Sequence, residues 1–199
     1  MAIGKRKDSG DFLPLIKYDA RSGSIFLLDR EHVDGSWQTT QRDITDTFRA
    51  AIDLQYLQRG WIHFPQGAAP EVKLVPAGED PGDAPDDNWR EGLRVLMKMS
   101  PQLGGDVREL LSTARALWAG LDTLHDEYLA AAADHPGEVP EVVLAETRQV
   151  KSGSGTAFVP VFEVVDWLPR PADLLAGPPP RSARAGKQAE LDLDQSIPF

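Results

Sequence analysis

Two runs rich in β-branched and aromatic residues, EVPEVVLAETRQV (138–150) and TAFVPVFEVVDWL (156–168), are separated only by KSGSG, residues 151–155. A connection this short joins antiparallel neighbours, because parallel strands need a crossover of about a dozen residues or more. The runs are therefore expected to form a β-hairpin with a flexible loop. The composition changes sharply behind Trp167, where PRPADLLAGPPPRSARAGKQAE holds three consecutive prolines, several Ala and Gly, and almost no β-branched or aromatic residues. Residues 171–189 read as a disordered linker with a flexible-chain span of about 25 Å.

Upstream, residues 11–30 contain two short apolar runs, FLPLIKY and SIFLLD, on either side of a polar, Gly-containing separator, which predicts a further hairpin. Residues 31–43 are polar and read as loop. Residues 43–58 admit two patterns. Ile44, Phe48, Ala51, Ile52 and Gln55 suit a helix capped by Asp43, while Phe48, Ala50, Ile52, Leu54 and Tyr56 alternate as in a strand. The strand is preferred from Phe48 onward. WIHF (61–64) and EVKLV (71–75) continue as short strands around a Pro-Gln-Gly turn. PAGEDPGDAPDDN (76–88) has too few apolar residues to pack and is expected to be a long acidic surface loop.

In LRVLMKM (93–99), Leu93, Val95, Met97 and Met99 alternate with Arg94, Leu96 and Lys98, predicting a half-buried strand with a partly basic outer face. After Gly105 the period becomes helical. Ala114, Leu117, Trp118, Leu121, Leu124, Tyr128 and Leu129 recur at three- and four-residue steps, and His135-Pro136-Gly137 stops the helix near Ala133.

One long helix between the third and fourth principal strands is the arrangement of an OB-fold. The expected fold is thus mainly β: an OB-fold-like five-stranded barrel with one long helix, an additional N-terminal hairpin and a disordered C-terminal tail. A general α+β domain is the alternative. With 199 residues, 41% of them hydrophobic, the chain suffices for one buried domain plus tails. The divisions are a flexible N-terminus (1–10), the body (11–170), the linker (171–189) and a C-terminal tip (190–199).

A formal charge of −10 and a pI near 4.8 exclude nonspecific attraction of the whole molecule to duplex DNA or an anionic membrane. A polyanion would have to meet a local basic face. The absence of cysteine removes disulfides, thiolate zinc sites and cysteine nucleophiles. His32, His63, His125 and His135 lie in separate segments without metal-ligand spacing. KSGSGT resembles a phosphate loop only superficially, since Lys151 precedes the glycines and a strand, not a helix, follows. Nucleophile-elbow, zincin and dinucleotide motifs are absent. No apolar run approaches the ~20 residues that span a bilayer. A cytoplasmic, non-enzymatic protein without a cofactor is expected.

Binding of a single strand needs less: cations to follow phosphates and aromatic faces on which bases stack. Such residues are interleaved here. Arg59 flanks Trp61, Trp89 precedes Arg90, Arg94 and Lys98 share one strand, and Arg148 and Lys151 lie by the final hairpin with Phe158. Trp61, Phe158 and Trp167 are equally suited to a core.

The tip, ELDLDQSIPF, places acids ahead of an apolar end. Asp192 and Asp194 suit basic residues around a partner's pocket, and Ile197, Pro198 and Phe199 suit its apolar floor. In these residues, behind a Pro/Gly-rich linker, the chain resembles bacterial and bacteriophage single-stranded DNA-binding proteins. The resemblance is closest over the last ten residues, and Gln195-Ser196 stands where the family usually has more Asp. It implies an OB-fold body that coats single-stranded DNA, and a tip that recruits replication, recombination and repair proteins. Association into homo-oligomers fits the same family. The rival expectation is an adaptor that binds no DNA and docks on a sliding clamp through QSIPF, of which Gln195 and Phe199 match clamp-binding peptides. A structural β protein with an incidental tail is a third.

Overall fold

The computed structural model describes residues 13–34, 36–66, 70–152 and 155–174. The first two apolar runs form β1 (Leu15–Asp19) and β2 (Ser24–Val33), paired antiparallel. Their turn requires Gly23, which has φ 75° and donates its amide to Asp19 O at 2.8 Å. The next strand, β3 (Ser36–Asp43), pairs with β2 where a loop was expected. Gln38 to Arg42 are exposed, so this outer strand is held by its backbone ladder and carries no apolar alternation to betray it.

The strand pattern expected from Phe48 holds only for β4 (Arg49–Ile52), because Leu54 to Tyr56 tighten into a 3-10 turn. There follow β5 (Gln58–His63), β6 (Glu71–Pro76) and, beyond the acidic loop, β7 (Arg90–Met99). A strand not anticipated, β8 (Val107–Ser112), precedes α1 (Arg115–Ala131). The long hairpin is β9 (Glu138–Ser152) and β10 (Gly155–Pro169).

All ten strands form one sheet, along the path β10-β9-β4-β7-β8-β1-β2-β3, with β5 between β6 and β7. Strand β7 is the hub: it pairs with β8 on one edge and divides the other between β5, opposite Arg90 to Arg94, and β4, opposite Met97 to Met99. The fold is mainly β with one long helix, as expected, but the sheet has ten strands and does not close as a five-stranded barrel. The reason lies at β8, whose second edge is taken by β1 in parallel register, Leu15 opposite Glu109 and Ile16 opposite Leu110. At that seam β10 meets the end of β1 and its turn. Phe158 N donates to Ala20 O at 2.8 Å, and the Tyr18 hydroxyl donates to Phe158 O at 2.6 Å.

The core lies between the sheet and α1, with Leu27, Ile52, Val95, Met97, Leu117, Leu121, Leu124 and Val142 almost wholly enclosed. Burial of such side chains is worth about 1.5–3 kcal/mol each. Gly120 lets the helix press on β10: a Cβ there would stand 2.3 Å from Pro160 O.

The outer face of β7 corrects a second expectation. Arg94 and Leu96 are each 7% exposed, so the strand is buried on both faces. The 3-10 turn lies over this face, and so does the chain leaving β10. Leu174, 2% exposed, lines a cavity with Arg94, Val95 and Leu96, and Asp173 pairs with Lys98. Packed structure thus extends to Leu174, four residues into the stretch expected as linker. The remaining linker and the tip lie outside the described residues.

Candidate nucleic-acid interface

Cross-strand register decides which predicted binding residues share a surface. On β5, Arg59 and Trp61 stand opposite Leu93 and Glu91. Directly paired residues point to the same side, and side chains alternate along a strand. Arg59 and Trp61 therefore occupy one face of the β5–β7 pair, and Arg94, Leu96 and Lys98 the other.

The first group gathers around the acidic loop, joined there by Arg90 at the start of β7, whose register with Ile62 sets it on the Arg94 side. Arg59 Nε donates to Glu79 O (3.1 Å), Trp61 Nε1 to Gly82 O (2.9 Å), and Arg90 to Asp87 O and Trp89 O (2.6 and 2.9 Å). Lys73 reaches Asp83 O at 3.4 Å, and the Trp89 ring lies 5.8 Å from that of His63. Side chains expected to meet phosphates instead hold carbonyl oxygens of a loop rich in aspartate. The loop stays ordered without an apolar core because these donors bind its backbone.

The second group lies on the outer face of β7. Arg94 Nε is 2.9 Å from Glu109 Oε1, with Gln58 Oε1 at 3.5 Å from its NH1. Lys98 pairs with Asp173. The third group is on the terminal hairpin: Arg148 is exposed and paired to Glu146 (2.7 Å), and Lys151 is exposed. Phe158 is half-buried against the β1 turn, where a Cβ on Gly23 would come within 3.1 Å of Phe158 Cβ. Opposite pairings of Lys151 with Thr156 and Phe158 with Gln149 set Lys151 and Phe158 on one face, with Arg148 on the other. The nine predicted residues of the body thus divide among three places.

Other groups converge without a sequence signal. Asp53, 1% exposed, is paired with Arg170, the first residue beyond β10. Burial pushes the Asp53 carboxyl upward, and the Arg170 guanidinium partly offsets this. The same guanidinium lies 4.6 Å from the centre of the Tyr56 ring, which is 60% exposed. Close by, Trp167 stacks on His135 (4.1 Å, 3°) and Tyr128 (6.0 Å, 25°), while His135 bonds Glu138 at 2.8 Å. Burial raises the Tyr128 hydroxyl pKa. The available clue was the polar trio Asp53, Gln55 and Gln58 interleaved with Leu54 and Leu57, a pattern neither helical nor alternating. Arg170 is more than a hundred residues away, so no local pattern could pair it with Asp53.

Among the described residues no cluster of His, Asp and Glu is arranged to hold a metal ion, and no helix is long and apolar enough to cross a membrane. Asp192, Asp194, Ile197, Pro198 and Phe199 lie outside the described residues. No family model, curated protein or solved structure matches the chain.

Proposed function

We propose that the protein binds single-stranded DNA without catalysis, protecting it during replication, recombination or repair, and recruits partner proteins through residues 190–199. The observation that carries the reading is the acidic stretch with Asp192 and Asp194 ending in Ile197-Pro198-Phe199. The body is compatible with it. Taking β4, β7, β8, β9 and β10 as principal strands, α1 falls between the third and fourth, and β4 pairs with both β7 and β9. We read this as an OB-like order of strands with β1 inserted beside β8. In OB-folds the face of the second and third strands and the loops after the first and fourth strands bind oligonucleotides. Here those correspond to β7–β8, the β5–β6 hairpin with its acidic loop, and the β9–β10 tip.

Fluorescence anisotropy with labelled single-stranded and duplex oligonucleotides over a salt series tests this. Tighter binding to the single strand is expected, with log K falling by about 0.7 per phosphate neutralised for each unit of log salt. Equal or absent binding to both would overturn it.

One observation favours a second reading. Arg59, Arg90, Arg94, Lys98 and Arg148 all engage groups of the protein itself. An adaptor that docks on a sliding clamp through the QSIPF peptide needs no basic groove; it would bind the clamp and neither form of DNA.

A further inference from the structure

Under the chain leaving β10 is a cavity of about 240 Å³ on the outer face of β7. Pro76, Leu96 and Leu174 give it apolar walls, while Asp53, Gln55 and Gln58 supply polar groups. Sites for drug-sized ligands run to roughly 300–1,000 Å³, so this one suits a single small planar group with both hydrophobic and hydrogen-bonding edges.

Asp53 dictates which edge. One carboxylate oxygen is taken by Arg170, and the other, Oδ1, accepts no hydrogen bond from the described residues. A backbone hydrogen bond from the Tyr56 amide also favours the charged carboxylate, less than Arg170 does. An acceptor left unmatched at 1% exposure favours any occupant that brings a donor. Beside it, the exposed Tyr56 ring with Arg170 against it forms a platform of the kind on which bases stack.

We propose that this cavity receives one unpaired base of a bound single strand and prefers bases bearing an exocyclic amino group, cytosine over thymine, with Asp53 as the acceptor. The proposal rests on the single-strand reading above and adds base selectivity to it. The two pyrimidines differ where it matters: cytosine offers its N4 amino donor, whereas thymine turns the O4 acceptor toward the same position. Thymine's one edge donor, N3–H, lies a position away, so a site that sets its acceptor against the exocyclic group rejects the base that presents an acceptor there, because the buried group then stays unmatched. One such bond corresponds to a preference of roughly threefold to tenfold.

The test is anisotropy of the full chain with labelled oligo-dC and oligo-dT of equal length at neutral pH and fixed salt. Oligo-dC is expected to bind several-fold more tightly. Asp53→Asn should abolish or invert the preference, since its amide can donate to thymine O4. Leu174→Phe, which fills the cavity while leaving Asp53 in place, should bring the two affinities together; thermal melting establishes that both variants are folded. Equal affinity of the unaltered protein for the two oligonucleotides overturns the pocket proposal while the single-strand reading stands. A preference that survives both substitutions overturns it too. Absence of binding to either oligonucleotide sinks the single-strand reading and the pocket with it.

Discussion

Arginines inside the sheet and arginines at its margins hold different things. Arg94 and Arg108, 7% and 5% exposed, lie against carboxylates: Arg94 on Glu109, and Arg108 on Asp29 (2.7 Å) and Asp106 (3.0 Å). Arg90 and Arg148 are exposed and make local contacts, to neighbouring carbonyls and to Glu146. In sequence the groups look alike, a cation among β-prone residues. What separates them is the strand that lies alongside. A buried cation belongs to the fold: moving Arg94 would strand the Glu109 carboxylate in the interior, and Arg108, itself enclosed, ties the half-exposed Asp29 and Asp106 to the sheet, while a marginal cation can exchange a weak contact for a phosphate at little loss.

The largest expected effect tests the interior half of this contrast. Glu109→Ala should destabilise the protein by about 3–5 kcal/mol in urea unfolding, because it leaves the Arg94 charge enclosed. The double replacement Arg94→Met with Glu109→Leu should recover most of that loss. A single-variant loss below about 1 kcal/mol would place Arg94 with the marginal cations. Next in size, Leu174→Ala should cost about 2–3 kcal/mol by the same measurement if the chain beyond β10 is an integral cover for β7. An unchanged midpoint would make that cover dispensable.

A smaller effect belongs to the seam between β1 and β10. Tyr18→Phe removes the hydroxyl bond to Phe158 O and should cost about 1 kcal/mol. Burial, with Asp19 nearby, raises the Tyr18 pKa from 10.0 to about 12. The neutral phenol is therefore favoured in the folded state. Its contribution is fully present below pH 10 and is lost as pH rises through about 12. Unfolding followed across that window should show this alkaline loss in the unaltered protein and not in Tyr18→Phe; identical profiles would break the assignment. The smallest effect on stability is at the margin. Arg148→Ala should change it by less than about 0.5 kcal/mol. On the single-strand reading it should also flatten the salt dependence by about 0.7, and an unchanged slope would remove Arg148 from the interface.

The same contrast explains what the sequence disclosed. The β9–β10 hairpin, α1, β5 and β6 were legible because their apolar residues recur with a clear period or flank a short turn. β3 was not, since its residues 38–42 are exposed and polar. β8 was hidden because Arg108 and Glu109 occupy buried positions where a strand pattern calls for apolar residues. The parallel pairing of β1 with β8 has no local signature at all. At the candidate site, the residue types were visible but their grouping was not: Arg59 and Arg94 lie on opposite faces through register with β7. The Asp53–Arg170 pair depends on a contact between two ends of the body.

The placement of β1 beside β8 also bears on the order in which the chain folds. During synthesis β1, β2 and β3 emerge first and can pair among themselves through near neighbours in sequence. Their edge has no partner until β8 arrives, since Leu15 pairs with Glu109, and their apolar side, with Ile16, Tyr18, Ile25 and Leu27, has no cover until α1 follows with Leu117 and Leu121. Such distant closures are slow, and partly folded strands with uncovered surfaces are prone to aggregate while they wait. The N-terminal strands thus form early and dock late, with an apolar side open to other chains in the interval.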